Sequence, residues 1–163
     1  MRAMRVHIGS DHAGFELKAH LVEQLGERGY EVVDHGPVEF DPVDDYPTYV
    51  LRAAVAVVND AGSLGVVIGG SGNGEAIAAN KVRGVRAALA WNDDTASLGR
   101  AHNNANVVAV GARMHSLDEA GRLVERFLTT PFSGDVRHAR RIGMLEHYES
   151  TGELPELPSA PTL

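Results

Sequence analysis

The fold of this chain is decided by one stretch, Val66-Val67-Ile68-Gly69-Gly70-Ser71-Gly72-Asn73-Gly74-Glu75. Its three leading apolar residues predict a buried strand, and the four glycines in the next six positions predict a loop whose backbone approaches another group closely. A helix is expected to follow over Glu75–Asn80. At such a strand-loop-helix junction several backbone N–H groups can point at one anion, assisted by the helix dipole. The stretch therefore predicts an anion-binding loop.

Glu75 separates this loop from two familiar phosphate motifs. The dinucleotide fingerprint requires glycine at that position, and the nucleotide P-loop requires lysine there. A carboxylate would repel a pyrophosphate or triphosphate seated in the loop, so we expect an anion that is less charged or is charged elsewhere along its length. Glu75 is then either a base facing a carbon acid or a carboxylate that complements the helix N-terminus, and spacing alone leaves both open.

Composition limits the class of protein. The 163 residues, 44% hydrophobic and 23% charged, predict a single domain over 1–149 and a tail over 150–163 that contains three of the seven prolines. The absence of cysteine excludes disulfides, thiolate metal sites and cysteine nucleophiles, and the net charge of −7 argues against general nucleic-acid binding. With no long apolar run and no room for a signal peptide before the first strand, we expect a cytoplasmic protein without a membrane partner.

Strands and helices alternate along the chain. This pattern predicts an α/β fold: a doubly wound, Rossmann-like sheet of five parallel strands in the order 2-1-3-4-5, with helices on both faces and right-handed crossovers. The ligand site of such a sheet lies outside the carboxyl ends of the strands, between the first and third. The loops 9–14 and 69–74 are then side by side. The predicted strands cover residues 5–8, 30–34, 66–68, 86–90 and 106–110.

Two histidine-containing segments are candidates for chemistry. Asp11 and His12 lie in the first loop, where both could reach a sugar hydroxyl or a phosphate, although Asp is also an ordinary residue at a helix start. His102 and Asn103 follow the fourth helix and are expected to border the same cleft; the alternative for His102 is a helix C-cap.

Basic residues cluster late in the chain. Arg113 follows the fifth strand, and Arg137 and Arg141 share one face of the last helix, which suits a phosphate clamp. The alternative is a solvated face paired with nearby carboxylates. The remaining histidines show no ligand spacing, so no metal site is expected.

These motifs together resemble the B-type ribose-5-phosphate isomerases, a family that includes the galactose-6-phosphate isomerase subunits. The resemblance extends from about Met4 to Glu149. It rests on several motifs in order: Gly9-Ser10-Asp11-His12-Ala13-Gly14, Asp45-Tyr46-Pro47, the glycine loop through Glu75, Asn80-Lys81, His102-Asn103-Asn104, and the Arg137/Arg141 pair.

The resemblance implies conversion of an aldose phosphate to a ketose phosphate through a cis-enediolate, without metal or cofactor. It implies that His102 opens the sugar ring with help from Asp11, and that Asn103 binds substrate hydroxyls. The backbone N–H groups of the loop would hold the enediolate oxygen, and four basic residues would hold the phosphate. The loop residues are Gly70, Gly72, Asn73 and Gly74; the phosphate group is His12, Arg113, Arg137 and Arg141.

The chain differs from many members of the family at the position of the proton-transferring base. Many members have a cysteine base where this chain has Ser71, and a serine hydroxyl is too weak a base at neutral pH. The chain resembles the subgroup in which a glutamate four residues later takes that role. We therefore predict that Glu75 is the base and that Ser71 is a hydrogen-bonding helper.

The expected activity is the interconversion of ribose 5-phosphate and ribulose 5-phosphate in the pentose phosphate pathway. The resemblance also implies an obligate homodimer in which arginines of the last helix reach the neighbour's site; dimer versus tetramer stays open. Mixing His102→Ala and Arg137→Ala variants is expected to restore activity if sites are shared. Alternatives are an isomerase of allose, galactose or tetrose phosphates, and a non-catalytic sugar-phosphate sensor. A flavodoxin-like nucleotide protein is disfavoured by Glu75.

Overall fold

The computed structural model describes residues 2–160, which form one sheet of five parallel strands and six α-helices. This confirms the predicted doubly wound α/β fold. Met1 and the last three residues of the predicted tail, 161–163, lie outside the described range. The strands are β1 Arg5–Ser10, β2 Glu31–Asp34, β3 Leu64–Gly69, β4 Ala87–Leu89 and β5 Val107–Gly111. The helices are α1 Phe15–Glu27, α2 Tyr46–Val58, α3 Asn73–Asn80, α4 Asp93–Ala101, α5 Leu117–Thr129 and α6 Val136–Thr151, and a short 3₁₀ turn covers His12–Gly14.

The strand order is β2-β1-β3-β5-β4, so the predicted order 2-1-3-4-5 is wrong for the last two strands. β5 pairs with β3 from Gly65–Val107 to Gly69–Gly111, and β4 lies at the sheet edge. The physical reason is burial: β5 is buried at all five positions, whereas β4 is three residues long and only half-buried. A short, partly exposed strand suits an edge, and a continuous apolar strand suits the centre. The switch point between β1 and β3 is unaffected.

Side chains of β3 alternate between two apolar layers. Val66 and Ile68 belong to the layer under α1, α4 and α5, together with Phe127, while Val67 belongs to the layer under α2 and α3, together with Val50. This is the alternation expected of a strand whose two faces are both covered. β3 is therefore anchored from both sides, and the loop that follows it starts from a fixed point.

A polar network ties β1 to the chain segments after β2 and α2. The guanidinium of Arg5 donates to both oxygens of Asp60, and His7 Nε2–H donates to Asp60 Oδ2 at 2.8 Å. His7 Nδ1 then accepts from His35 Nε2 at 2.9 Å. The hydrogen bonds from Arg5 and His7 hold the pKa of the Asp60 carboxyl well below its usual range. The network gives two histidines without ligand spacing a structural role.

The last helix is largely uncovered by its own chain. Within the described part of the chain, α6 buries one residue, Ile142, and leaves apolar side chains such as Val136, Leu145 and Tyr148 exposed. After α6, residues 152–160 are exposed and carry no regular secondary structure. In residues 2–160 there is no helix with the length and apolar character needed to cross a bilayer.

Candidate active site

A cavity of about 390 Å³ opens at the carboxyl ends of the central strands. The first loop and the glycine loop meet here, because the Asp11 backbone N–H donates to Ile68 O at 3.3 Å. The segment after β5 closes the third side through hydrogen bonds from Ala112 N to Gly69 O (2.7 Å) and from Arg113 N to Gly70 O (3.0 Å). The residues that line the cavity are Tyr46, Gly70, Ser71, Gly74, Glu75, Arg113 and Met114.

A larger depression, of about 510 Å³, lies between α1 and α5. Its lining residues all belong to or directly follow these two helices, and charged pairs such as Arg28–Glu125 already satisfy one another across it. The smaller cavity at the strand ends is the better candidate, because the switch point of an α/β sheet is where ligands bind.

The shape of the glycine loop depends on residues without side chains. Gly72 adopts φ +85°, and a Cβ there would meet Leu89 at 2.7 Å and the backbone of Val110 at 3.0 Å. A Cβ at Gly74 would lie 2.7 Å from the ring of Tyr46. A left-handed φ favours glycine at position 72, and the close contacts leave no room for a side chain at position 72 or 74. The close approach predicted from the four glycines is therefore present in the structure.

The carboxyl group of Glu75 is buried beside the end of β3. Glu75 is 4% exposed and lies in the first turn of α3, and its carboxylate packs against Gly69. Burial raises the pKa of Glu75 above its usual value; the negative charge of Asp11 adds to this, and the backbone N–H groups of Glu75 and Gly72 partly offset it. A desolvated carboxylate with a raised pKa is the form in which enzymes use glutamate as a base near neutral pH.

A methyl group at Gly69 is expected to disable this carboxylate while leaving the fold in place. A Cβ built there overlaps the carboxyl atoms of Glu75, which are the flexible end of a side chain and can be displaced. We expect Gly69→Ala to lower kcat by at least about 10-fold, because a small misplacement of a catalytic group is costly. Steady-state kinetics and a thermal melt measure the two effects. A normal kcat would show that the observed position of Glu75 is not needed.

Asp11 and Ser71 flank Glu75 with different exposure. Asp11 is 8% exposed, and its Oδ1 accepts the N–H groups of Ala13 (2.9 Å) and Gly14 (3.2 Å) as the N-cap of the 3₁₀ turn. The helix-start alternative for Asp11 is thus present, and its second oxygen remains for another role. Ser71 is exposed at the cavity wall, and its hydroxyl accepts the Asn73 N–H at 3.2 Å.

His12 and Arg113 provide positive charge on this side of the sheet. The Nδ1–H of His12 donates to Asp44 Oδ1 at 2.7 Å, and this hydrogen bond raises the pKa of the imidazole above its usual value. Arg113 lies against Gly70, where its guanidinium would be 3.2 Å from a Cβ. Arg113 lines the cavity, and its charge acts on the His12 ring, so the two cations suit a phosphate group bound on this side of the sheet.

The expectation that His102 and Asn103 border this cleft is wrong within one chain. They follow α4, which returns from the carboxyl edge, and they precede the first residue of β5, so they lie at the amino edge of the sheet. His102 caps α4 through its N–H to Leu98 O (2.9 Å), and its ring stacks 4.1 Å from that of His138 on α6. The connection to β5 does not by itself place this segment at the cleft, because the chain enters a parallel strand at the amino edge of the sheet.

Arg137 and Arg141 are both exposed on α6. Among residues 2–160 neither arginine side chain forms an ion pair, although Asp135, Glu146 and Glu149 were the expected partners. Asp135 caps the helix by accepting the Arg137 backbone N–H at 2.8 Å. Glu146 pairs with Arg86 at 3.4 Å, and Glu149 accepts the Gly84 N–H. The face is therefore exposed, as the alternative expected, but the expected ion pairs with these carboxylates are absent from residues 2–160.

The predicted site residues thus form two groups on one chain. We call the first the glycine-loop half; it contains Asp11, His12, Glu75, Arg113 and the loop residues Gly70, Ser71, Gly72, Asn73 and Gly74. We call the second the α6 half; it contains His102, Asn103, Arg137 and Arg141.

The structure adds Asp44, Tyr46 and Met114 to the glycine-loop half, and the sequence analysis gave none of them a role. Asp11, His12 and Asp44 place ligand-type atoms within 4.8 Å of one another. Asp44 Oδ1 already accepts two N–H groups of His12, and Asp11 Oδ1 accepts two backbone N–H groups, so we assign no metal to them.

Comparison with known proteins gives concordant matches. A sequence model of the family described as Ribose/Galactose Isomerase matches residues 6–145. The ribose-5-phosphate isomerase B of Mycobacterium tuberculosis is 53% identical over 161 residues, which cover 99% of this chain and 99% of that protein. The Escherichia coli protein of the same name is 39% identical over 138 residues, covering 85% and 91%. A crystal structure of ribose-5-phosphate isomerase B from Mycoplasma genitalium with bound ribulose 5-phosphate is similar with TM-score 0.88 and 40% identity, covering 93% and 99%.

Proposed function

The chain belongs to the ribose/galactose isomerase family, and we propose that it interconverts ribose 5-phosphate and ribulose 5-phosphate as a step of the pentose phosphate pathway. The observation that carries this proposal is the buried Glu75 carboxylate, with its raised pKa, beside a loop of closely packed backbone at the switch point of the sheet. A non-catalytic sensor would need a phosphate clamp but no desolvated base. We further propose that residues 1–149 act as a single cytoplasmic isomerase domain.

The proposed reaction begins with opening of the furanose ring. His102 donates a proton to the ring oxygen, Asp11 assists, and Asn103 binds substrate hydroxyls. Glu75 then removes the proton from C2 and returns it to C1, while a proton moves from O2 to O1, so that the aldose becomes the ketose. Backbone N–H groups of the glycine loop stabilise the enediolate oxygen, with Ser71 as a hydrogen-bonding helper. His12, Arg113, Arg137 and Arg141 hold the phosphate.

This mechanism requires two subunits. The glycine-loop half and the α6 half lie at opposite edges of one sheet, so one substrate cannot reach both on a single chain. We propose a homodimer in which the α6 half of each subunit completes the glycine-loop half of the other. The exposed apolar side chains of α6, including Leu145 and Tyr148, supply a surface for this contact.

The pH profile of kcat should carry the signature of Glu75. The base must be ionised to accept the C2 proton, and burial raises its pKa above 4.5, so activity should fall as the pH decreases through that raised pKa. We expect the acid limb of kcat to lie above 4.5 and to vanish in Glu75→Gln. Initial rates between pH 4.5 and 9 measure it. An acid limb at the position of an ordinary exposed glutamate would contradict the role of the buried carboxylate.

The substrate test is an isomerase assay on protein pretreated with EDTA. Ribose 5-phosphate, allose 6-phosphate and galactose 6-phosphate are compared by kcat/KM, and we expect the pentose phosphate to be preferred without added metal. A preference for a six-carbon phosphate would change the substrate but keep the chemistry. No turnover of any of the three would favour the sensor.

A further inference from the structure

Asp44 accepts two hydrogen bonds from His12. Its Oδ1 accepts the His12 backbone N–H at 2.8 Å and the His12 Nδ1–H at 2.7 Å. The Asp44 side chain is 5% exposed and belongs to the irregular segment between β2 and α2, whereas His12 begins the turn after β1. A single buried oxygen therefore fixes both the backbone and the ring of His12. The sequence analysis assigns no role to Asp44.

The other oxygen of Asp44 is buried as well, and its surroundings bear on how the pair is charged. Asp44 Oδ2 is buried and has no hydrogen-bond partner among residues 2–160. A protonated Asp44 would carry its O–H on that oxygen with no acceptor, and an ionised Asp44 beside a neutral imidazole would be a buried charge without a counter-charge. A carboxylate paired with an imidazolium supplies that counter-charge, and it leaves Asp44 Oδ2 as the one side-chain oxygen of the pair without a hydrogen bond among residues 2–160.

The surroundings of His12 are consistent with that pair. Three charged groups act on the ring: Asp44 and Asp11 favour its protonated form, and Arg113 disfavours it. The hydrogen bond to Asp44 has the largest effect and outweighs the desolvation of the ring, so the net direction is a raised pKa of His12. Since Nδ1–H is engaged by Asp44, Nε2–H is the ring donor that remains for a ligand.

We propose that Asp44 is a positioning residue that holds His12 as an imidazolium with Nε2–H available to the substrate phosphate. This rests on the proposed role of His12 at the phosphate. A charge-assisted hydrogen bond to a dianion is about twice as strong as a neutral one, so the carboxylate acts on phosphate affinity without touching the substrate. Affinity for phosphate then falls as the pH rises through the pKa of His12.

The test uses Asp44→Asn, which removes the charge but keeps an oxygen that can accept both His12 N–H groups. Histidine NMR titrations, assigned with His12→Asn, give the His12 midpoint directly, with inorganic phosphate as the ligand probe. We expect the wild-type midpoint above 6.5 and a decrease of at least about 1 unit in Asp44→Asn. Glu39→Gln is the matched control, because it removes one exposed carboxylate from the same segment, and it should leave the midpoint unchanged.

Kinetics give the second readout. Asp44→Asn should raise KM for ribose 5-phosphate by about 10-fold near pH 7.5 with kcat nearly unchanged, and the difference from wild type should shrink at lower pH, where His12 protonates in the variant as well. A merely structural role would not produce that pH dependence. A wild-type His12 midpoint at or below 6.5, or one unmoved by Asp44→Asn, would overturn the proposal. Because the NMR readout needs no turnover, an inactive wild type would count against the proposed function alone.

Discussion

Replacing Glu75 with Gln is expected to lower kcat for ribose 5-phosphate by about 10²–10⁴-fold and to leave KM within a few-fold of wild type. The amide has nearly the volume of the carboxyl group but cannot accept the C2 proton. Glu75 lines the cavity beside Ser71, whose hydroxyl is exposed and is engaged only by the Asn73 N–H in residues 2–160. Ser71→Ala should therefore cost less than Glu75→Gln.

The same substitution decides between the two roles that spacing left open for Glu75. Glu16 is the matched control, since it is also an acidic residue in the first turn of a helix but is exposed on α1. If Glu75 only complemented the helix N-terminus, both variants would lose a few tenths of a kcal/mol of stability and keep kcat. If Glu75 is the base, Glu75→Gln should lose kcat without losing stability, because neutralising a buried carboxylate removes a desolvation cost. Thermal melts and initial rates separate the two, and a near-normal kcat in a folded Glu75→Gln protein would refute the base.

The sequence predicted best where short-range chemistry determines the structure. Four glycines after an apolar strand predict a loop whose backbone approaches other groups closely, and the structure shows such contacts at Gly72 and Gly74. The capping box of Ser116 and Glu119 is an equally local feature, since its two hydrogen bonds join residues three apart. Both features depend on neighbours in the chain.

Errors occurred where the outcome depended on distant parts of the chain. β5 takes the central position and β4 the edge because β5 is fully buried and β4 is not. The order of the strands along the chain does not reveal this difference. His102 was placed by its nearness in sequence to β5, yet it lies at the start of that strand and not at its end. Asp44 stands in an irregular acidic segment, and only the fold brings it to His12, 32 residues earlier. Pairings of this kind carry no local signal.

Co-expression of Glu75→Gln and His102→Ala chains is expected to restore about a quarter of wild-type activity, although each variant alone is nearly inactive. Random assembly makes half of the dimers mixed, and a mixed dimer has one site with both changes and one with neither. The effect requires Glu75 and His102 to lie in different halves, as they do at opposite edges of the sheet. Two affinity tags, used in sequence, isolate the mixed dimer, in which half of the sites should be active.

The pairing first expected from the sequence, His102→Ala with Arg137→Ala, becomes the negative control. His102 stacks on His138, the neighbour of Arg137 on α6, so both changes fall on the α6 half and no mixed dimer has an intact site. Arg137→Ala alone should mainly raise KM, so this mixture is assayed at low ribose 5-phosphate, where its activity should stay at the mean of the two parents. Restoration by both mixtures would mean that His102 and Arg137 of one site come from different subunits. Restoration by neither would mean that all residues of a site come from one chain. Restoration by the first mixture alone requires each site to combine a glycine loop from one subunit with α6 from the other.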